Sequence, residues 1–468
     1  MFPPQLSFIP ATAALTRFIE VNGFDGFYPY WYLGTTPVKY LTGPVVPGVL
    51  VGLHKLLPQF SFFELSLWLV VSCQLLTALG WGFLAFQISE KKQYGFIVAL
   101  LTLLLPWHWV SSLGLGEVSA VLAGALTPWV LLLLASSVRQ PEKTFGQPLS
   151  KVRNESSDLT LASARHDRKS NSHGGFGLAS SSFSVWLPSL AFALLLLTNS
   201  TAAIPAVVGL LILGIIATKH WNEGLKKVLI VIAAGWLLTL WWYGPGFWRT
   251  TLLAPSIGGR SAVIAFVSLL NLLRGFVPVI LAVILVWWKI RPKNIFEKFT
   301  LIWLTTFGSL TLFRLMADPD FWMDWTAWMG EVEVGLVLVF GSIIFRSVHH
   351  LKKRSTKVNS DSLYSNSVSL RPSLAIKSDL IRFAIWARSV MFFKWLPSRN
   401  SSILLTAFYI YFFGGWFLAF QNRDFWLPRK DISQSVEYRI AEFLGDNVGA
   451  DETVFLSGTT AFWLNSLV

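Results

Sequence analysis

Apolar runs close to 20 residues long recur along this 468-residue chain, and they limit what it can fold into. A helix needs about 20 apolar residues to cross the ~30 Å hydrocarbon layer, where only helices and closed barrels satisfy their own backbone. Ten runs fit that requirement: Phe63–Ile88, Tyr94–Leu113, Val118–Val138, Val185–Leu197, Thr201–Ala217, Val228–Phe247, Asn271–Trp288, Thr300–Leu315, Thr326–Phe345 and Ile403–Phe420. The fourth and fifth, separated only by Thr198-Asn199-Ser200, form either one hairpin or one long broken segment. Composition agrees, with 53% hydrophobic and 13% charged residues against about 25% charged in soluble domains. The expectation is an all-α polytopic membrane protein of about ten transmembrane helices, not a soluble enzyme. A shorter apolar stretch, Pro44–Leu57, carries His54 and Lys55 and reads as a re-entrant or interfacial helix.

The net charge of +13 would suggest a polyanion partner in a soluble protein, but its placement follows a membrane rule. Lys and Arg accumulate in cytoplasmic loops. With 89–93, 138–183, 219–227, 289–298 and 346–400 inside, those segments hold 27 of the 38 basic and 9 of the 25 acidic residues. The inside is then +18 and the outside −5. This alternation places both termini outside the cytoplasm in a multi-pass cell-membrane protein, with membrane lipid rather than nucleic acid as its partner.

Three regions follow. Residues 1–62 read as an extracytoplasmic loop with amphipathic and re-entrant helices, and 63–420 as the transmembrane bundle with cytoplasmic loops 138–183 and 346–402. Gln140–Phe183 is rich in Ser, Asn, Gly and His and holds too little apolar area to order itself. In the second loop, Arg382, Arg388 and Lys394 punctuate the apolar Leu380–Leu396, as in a helix lying on the anionic inner leaflet. Neither loop carries a nucleotide-binding signature. Residues 421–468 read as the beginning of an extracytoplasmic α/β domain, with helical spacing over Asp431–Leu444 and a turn and strand over 451–458. One helix and one strand are not stable alone, so more of this domain is expected to follow Val468.

Ionisable residues outside the cytoplasmic loops gather at the outer ends of the spans. Arg274 and Arg314 end the seventh and eighth, Arg249 and Arg260 flank Pro255–Gly259, Glu117 opens the third, and Glu331 and Glu333 lie in the outer third of the ninth. Singly, each fits the headgroup layer. Together they describe an outer pocket, with arginines for a phosphate and carboxylates for a general base. A carboxylate inside an apolar run, as at Glu331, is costly unless it faces a polar cavity. The 23 tryptophans favour membrane interfaces, and the same rings serve as platforms for a sugar or a prenyl chain. The aromatic stretch Phe24–Pro37, which includes Asp25 and Trp31, reads as a structured external loop or an interfacial cap. The single cysteine, Cys73, permits no intrachain disulfide and no thiolate metal site.

The stretch Phe24–Pro47, with Tyr-Pro-Tyr-Trp-Tyr-Leu-Gly and then Gly-Pro-Val-Val-Pro, resembles the first external loop of GT-C-type membrane glycosyltransferases. It is most similar to the prokaryotic polytopic proteins labelled "6-pyruvoyl-tetrahydropterin synthase-related". Gly114–Glu117 before Leu126-Thr127-Pro128-Trp129, and the tail from Tyr438 to Asn465, resemble further segments of that family. The resemblance implies a polyprenyl-phosphate-linked sugar as donor, transfer on the extracytoplasmic face, and an acidic base or divalent-cation ligand in the first external loop. The family's key acid normally follows an initial span, which here is expected to precede Met1; Asp25 and Glu20 are the acids left in the loop. Expected roles are Asp25 or Glu331 as base, Arg249, Arg260, Arg274 and Arg314 at the donor phosphate, and Glu117, Glu333 and Trp31 as further substrate-binding residues. A transporter or flippase of lipid-linked glycans is the alternative, though no internal repeat is visible; a non-catalytic scaffold is the third. The charge placement makes one direct prediction: a cysteine at Ser170 reacts with impermeant maleimide only after the cytoplasmic side is opened, whereas one at Ser433 reacts in intact cells. Labelling of both from one side would contradict the orientation.

Overall fold

The computed structural model describes residues 2–3, 7–28, 43–139, 183–218, 220–247, 277–288 except 286, 292–316 except 293, 328–362, 398–449 except 430 and 434, and 463–467 except 465. Within helices, the side chains of 139, 183–184, 201, 313–316, 346–362, 398–408 and 425 lie outside the description. The described chain is almost entirely helical: α1 Ile9–Asn22, α2 Val45–Leu56, α3 Phe62–Ser89, α4 Lys92–Leu103, α5 Pro106–Trp109, α6 Val118–Arg139, α7 Phe183–Thr198, α8 Ile204–Ala217, α9 Trp221–Leu238, α10 Ile295–Met316, α11 Met329–Ser362, α12 Ser398–Gln421 and α13 Val436–Asn447.

Local chemistry sets several of these boundaries. A capping box starts α3: the Glu64 N–H donates to Ser61 Oγ at 3.3 Å, and the Ser61 N–H donates to Glu64 Oε2 at 3.1 Å. Along the helices, Thr77, Thr102, Thr127 and Thr198 each donate their hydroxyl to the carbonyl four residues earlier, which removes a lone donor from an apolar interior.

Among the described residues, two helices, Phe62–Ser89 and Val118–Val138, are long and apolar enough to cross a membrane, and Lys92–Leu103 with Pro106–Leu115 makes a third if that bent pair is one span. The helices α7 and α8 are shorter, at 16 and 14 residues. The predicted single span Tyr94–Leu113 is bent by 52°. Pro106 is the cause: it lacks an N–H, and the residue before it, Leu105, is pushed to an extended conformation with ψ 122°. After α5 the chain continues as a π-helical turn, Val110–Leu115. The segment between the fourth and fifth predicted spans resolves into separate helices, with Asn199 capping the turn into α8 by accepting from the Ala202 N–H at 3.1 Å. The helix α13 lies within the predicted outer domain; residues 451–462, where a strand is expected, lie outside the described residues.

The bundle packs α3 against α4 and α6, α6 against α7 and α8, α9 against α7 and α8, and α10 against α8 and α11. Its centre is aromatic: Phe299, Trp303 and Phe307 stack along α10, with the Trp303 ring 5.2 Å from Trp81 of α3. The outward faces of α3, α9 and α12 expose Trp68, Leu79, Phe83, Leu237, Phe413 and Phe417, a surface suited to hydrocarbon. Phe2 and Arg429 form an antiparallel bridge, so the start of the chain and the segment after α12 meet at one end of the bundle.

Close helix approach relies on small residues. A Cβ on Gly224 of α9 would lie 1.8 Å from the Gly214 carbonyl oxygen of α8. Gly224→Ala is therefore expected to force α8 and α9 apart and to cost about 1–3 kcal/mol, read as a lower melting temperature in detergent; an unchanged melting temperature would contradict this packing.

Candidate functional site

Three chain breaks meet at one end of the bundle and enclose a cavity of about 520 Å³, within the usual range of about 300–1,000 Å³ for small-molecule sites. The breaks are the Pro106 bend, the turn before α6, and the start of α11.

The bend supplies His108, Ser111 and Ser112 to the wall. Gln74 of α3 holds it there, donating to the His108 carbonyl at 3.3 Å and to the Ser112 hydroxyl. The turn before α6 supplies Glu117. Gly116 makes that turn possible with φ +60°, and a Cβ there would meet Ser7 Oγ at 2.0 Å. The Phe8 N–H ties the same turn to the N-terminal segment by donating to the Leu115 carbonyl at 2.7 Å. Glu117 Oε1 accepts from Asn199 Nδ2 at 3.2 Å, and the same amide group donates to Ser119 Oγ, also at 3.2 Å.

The start of α11 supplies two carboxylates with different surroundings. Two residues apart on a helix, they project to opposite sides. Glu331 lines the cavity. Glu333 turns into the protein with only 1% of its side chain exposed, where Oε2 accepts from His108 Nδ1 at 2.7 Å and Oε1 accepts from the Trp107 N–H at 3.3 Å and from the Tyr411 hydroxyl of α12. A buried carboxylate persists only when its oxygens are filled in this way.

Indoles complete the wall. Trp81, Trp107, Trp303 and Trp328 all line it, and Trp303 Nε1 donates to the Glu331 carbonyl at 2.8 Å. The indole N–H of Trp107 is buried and has no partner among the described residues. Trp328 has φ +61°, an uncommon conformation for a bulky residue that concentrates at functional sites.

The residues singled out in the sequence divide clearly. Glu117 and Glu331 line this cavity, and Glu333 braces it from behind. Asp25 is exposed in the turn after α1 and does not line it. Arg249, Arg260, Arg274 and Trp31 lie outside the described residues; Arg314 falls in α10, with its side chain outside the description. Sequence reasoning missed His108, Gln74, Asn199 and Tyr411. A signal existed for His108, since an ionisable residue beside a proline inside an apolar run needs a reason. Among the described residues no group of three or more His, Cys, Asp or Glu side chains is placed to hold a metal ion.

No family model matches the chain, and no curated protein does. Among solved structures it is similar to the crystal structure of the Archaeoglobus fulgidus oligosaccharyltransferase in complex with zinc and sulfate, with 13% identity and a TM-score of 0.43. That match covers 96% of this chain but 52% of the other, so the chain spans about half that protein's length. The similarity is too distant to transfer residues or activity.

Proposed function

We propose that the chain is a GT-C-like membrane glycosyltransferase that moves a sugar from a polyprenyl-phosphate donor to an acceptor on the extracytoplasmic face. In this reading it is an oriented bundle of about ten spans, with both termini and the cavity mouth outside and the segment from 421 onward beginning an outer domain. The observation that carries it is the meeting of Glu117, Glu331 and four indoles on one cavity wall. Indole faces pack against the C–H faces of a pyranose, carboxylates accept from its hydroxyls, and the lone Trp107 N–H offers a donor to a ring or glycosidic oxygen. The prenyl chain stays in the lipid.

Transfer breaks the bond between C1 and the phosphate oxygen and forms one to the acceptor oxygen, so it needs charge neutralisation at the phosphate and a base for the acceptor proton. Arg249, Arg260, Arg274 and Arg314 are the residues assigned to the phosphate. Of the two acids named as base from the sequence, Glu331 is the one on the cavity wall. A divalent cation beside the phosphate would add to the charge neutralisation that the arginines supply.

In proteoliposomes given a polyprenyl-phosphate-linked hexose, Glu331→Gln and Glu117→Gln are each expected to lower transfer at least about tenfold, while Asp25→Asn stays within about threefold of wild type. Full activity in both cavity variants with loss in Asp25→Asn would move the chemistry to the first external loop. No transfer from any such donor by the wild type would remove the reading.

A further inference from the structure

The cavity wall holds an imidazole as well as its carboxylates. Resting on the glycosyltransfer reading, we infer that His108 is the general base, taking the acceptor hydroxyl proton at Nε2, and that Glu333 is its positioning residue. Glu331 then serves the sugar hydroxyls.

Geometry carries this assignment. Glu333 already accepts from the Trp107 N–H and the Tyr411 hydroxyl, so in the 2.7 Å contact His108 Nδ1 is assigned as the third donor, which leaves the Nε2 lone pair for the cavity. The carboxylate cannot swing away without stranding the Trp107 N–H and the Tyr411 hydroxyl. The backbone of His108 is held as well, through the Gln74 amide on its carbonyl. The side chain is 14% exposed and lines the cavity. Its Cε1, the carbon next to Nε2, faces Gly330, at 3.8 Å from where a Cβ would stand, and Gly330 and Glu331 line the same wall. A pair that served only to clamp α5, α11 and α12 would gain nothing from presenting a ring to that space.

Chemistry points the same way. A base works best when its proton affinity suits the operating pH, and imidazole as a class titrates near pH 6.5 whereas carboxylates titrate near 4. The buried carboxylate behind the ring stabilises the imidazolium as it forms, the logic of the hydrolase triads. Among the described residues, the titratable groups around the ring are Glu333 from α11, Tyr411 from α12, and Glu331 and Glu117 on the cavity wall. In the transfer step the acceptor O–H proton moves to Nε2, the acceptor oxygen bonds to C1, and the C1–O bond electrons leave on the polyprenyl phosphate. Water then takes the proton from the imidazolium.

The test uses the full chain in nanodiscs and two readouts. The first is the ¹⁵N-histidine spectrum, with the His108 signals assigned from their loss in His108→Asn, which keeps an N–H for Glu333 but has no Nε2. At pH 8, His108 is expected to be neutral with the proton on Nδ1, and Glu333→Gln is expected to shift it toward the other tautomer. The second is transfer of hexose from polyprenyl phosphate as a function of pH. His108→Asn is expected to lower kcat about 10²–10⁴-fold with an unchanged melting temperature, and to remove an acid limb of the profile that Glu331→Gln retains. A proton on Nε2 at pH 8, or a retained limb with kcat within threefold of wild type in His108→Asn, would overturn the assignment. A wild type that transfers no sugar defeats the functional reading by itself, and the tautomer result still decides whether His108 presents a free Nε2.

Discussion

The buried carboxylate of Glu333 is the constraint on which the described end of the bundle depends. A carboxyl group buried in an apolar helix bundle is tolerated only with its oxygens filled, and the donors that fill them come from α5 and α12. His108 lies 225 residues from Glu333 in sequence, and Tyr411 lies 78 residues away on the other side. One side chain therefore fixes the position of three elements that share no local connection.

The same contacts make the Pro106 break tolerable. A bend within a bundle frees carbonyls that the continuous helix would have used, and these must find donors where water is scarce. Trp109 Nε1 takes the Leu103 carbonyl at 2.7 Å, and Trp416 Nε1 of α12 takes the Leu104 carbonyl at 2.9 Å. With its backbone satisfied by indoles and its imidazole held by Glu333, the segment after the bend departs from the course of α4. The space it leaves is the cavity, walled by Glu117 on a glycine turn and by Glu331 one helical step from the buried acid.

Much of the bundle was legible in the sequence because apolar length is a one-dimensional signal: Phe63–Ile88 and Val118–Val138 predict helices within two residues of the observed ends of α3 and α6. The bend was less legible. Pro106 sits inside an unbroken apolar run, and the indole donors that satisfy the carbonyls freed there come from Trp109 and from Trp416, more than 300 residues away. The site was half legible for a related reason. Acids inside apolar runs stand out individually, so Glu117, Glu331 and Glu333 could be named; which of them faces the cavity and which faces inward depends on helical phase and on partners hundreds of residues away. His108 and Tyr411 gave weaker signals, since neither a lone histidine after the bend nor a tyrosine midway along the apolar Ile403–Phe420 shows in sequence what it pairs with. Asp25 rests on the resemblance of the Phe24–Pro47 loop that contains it, and it does not line the cavity wall.

The central claim is that this cavity receives the sugar of a lipid-linked donor. Photocrosslinking with a polyprenyl-phosphate sugar carrying a diazirine on the sugar ring, followed by peptide mapping, tests it most directly. The account predicts adducts in the peptides spanning 107–124 and 328–334, competed away by unmodified donor. Adducts confined to other peptides, or unaffected by competition, would contradict it.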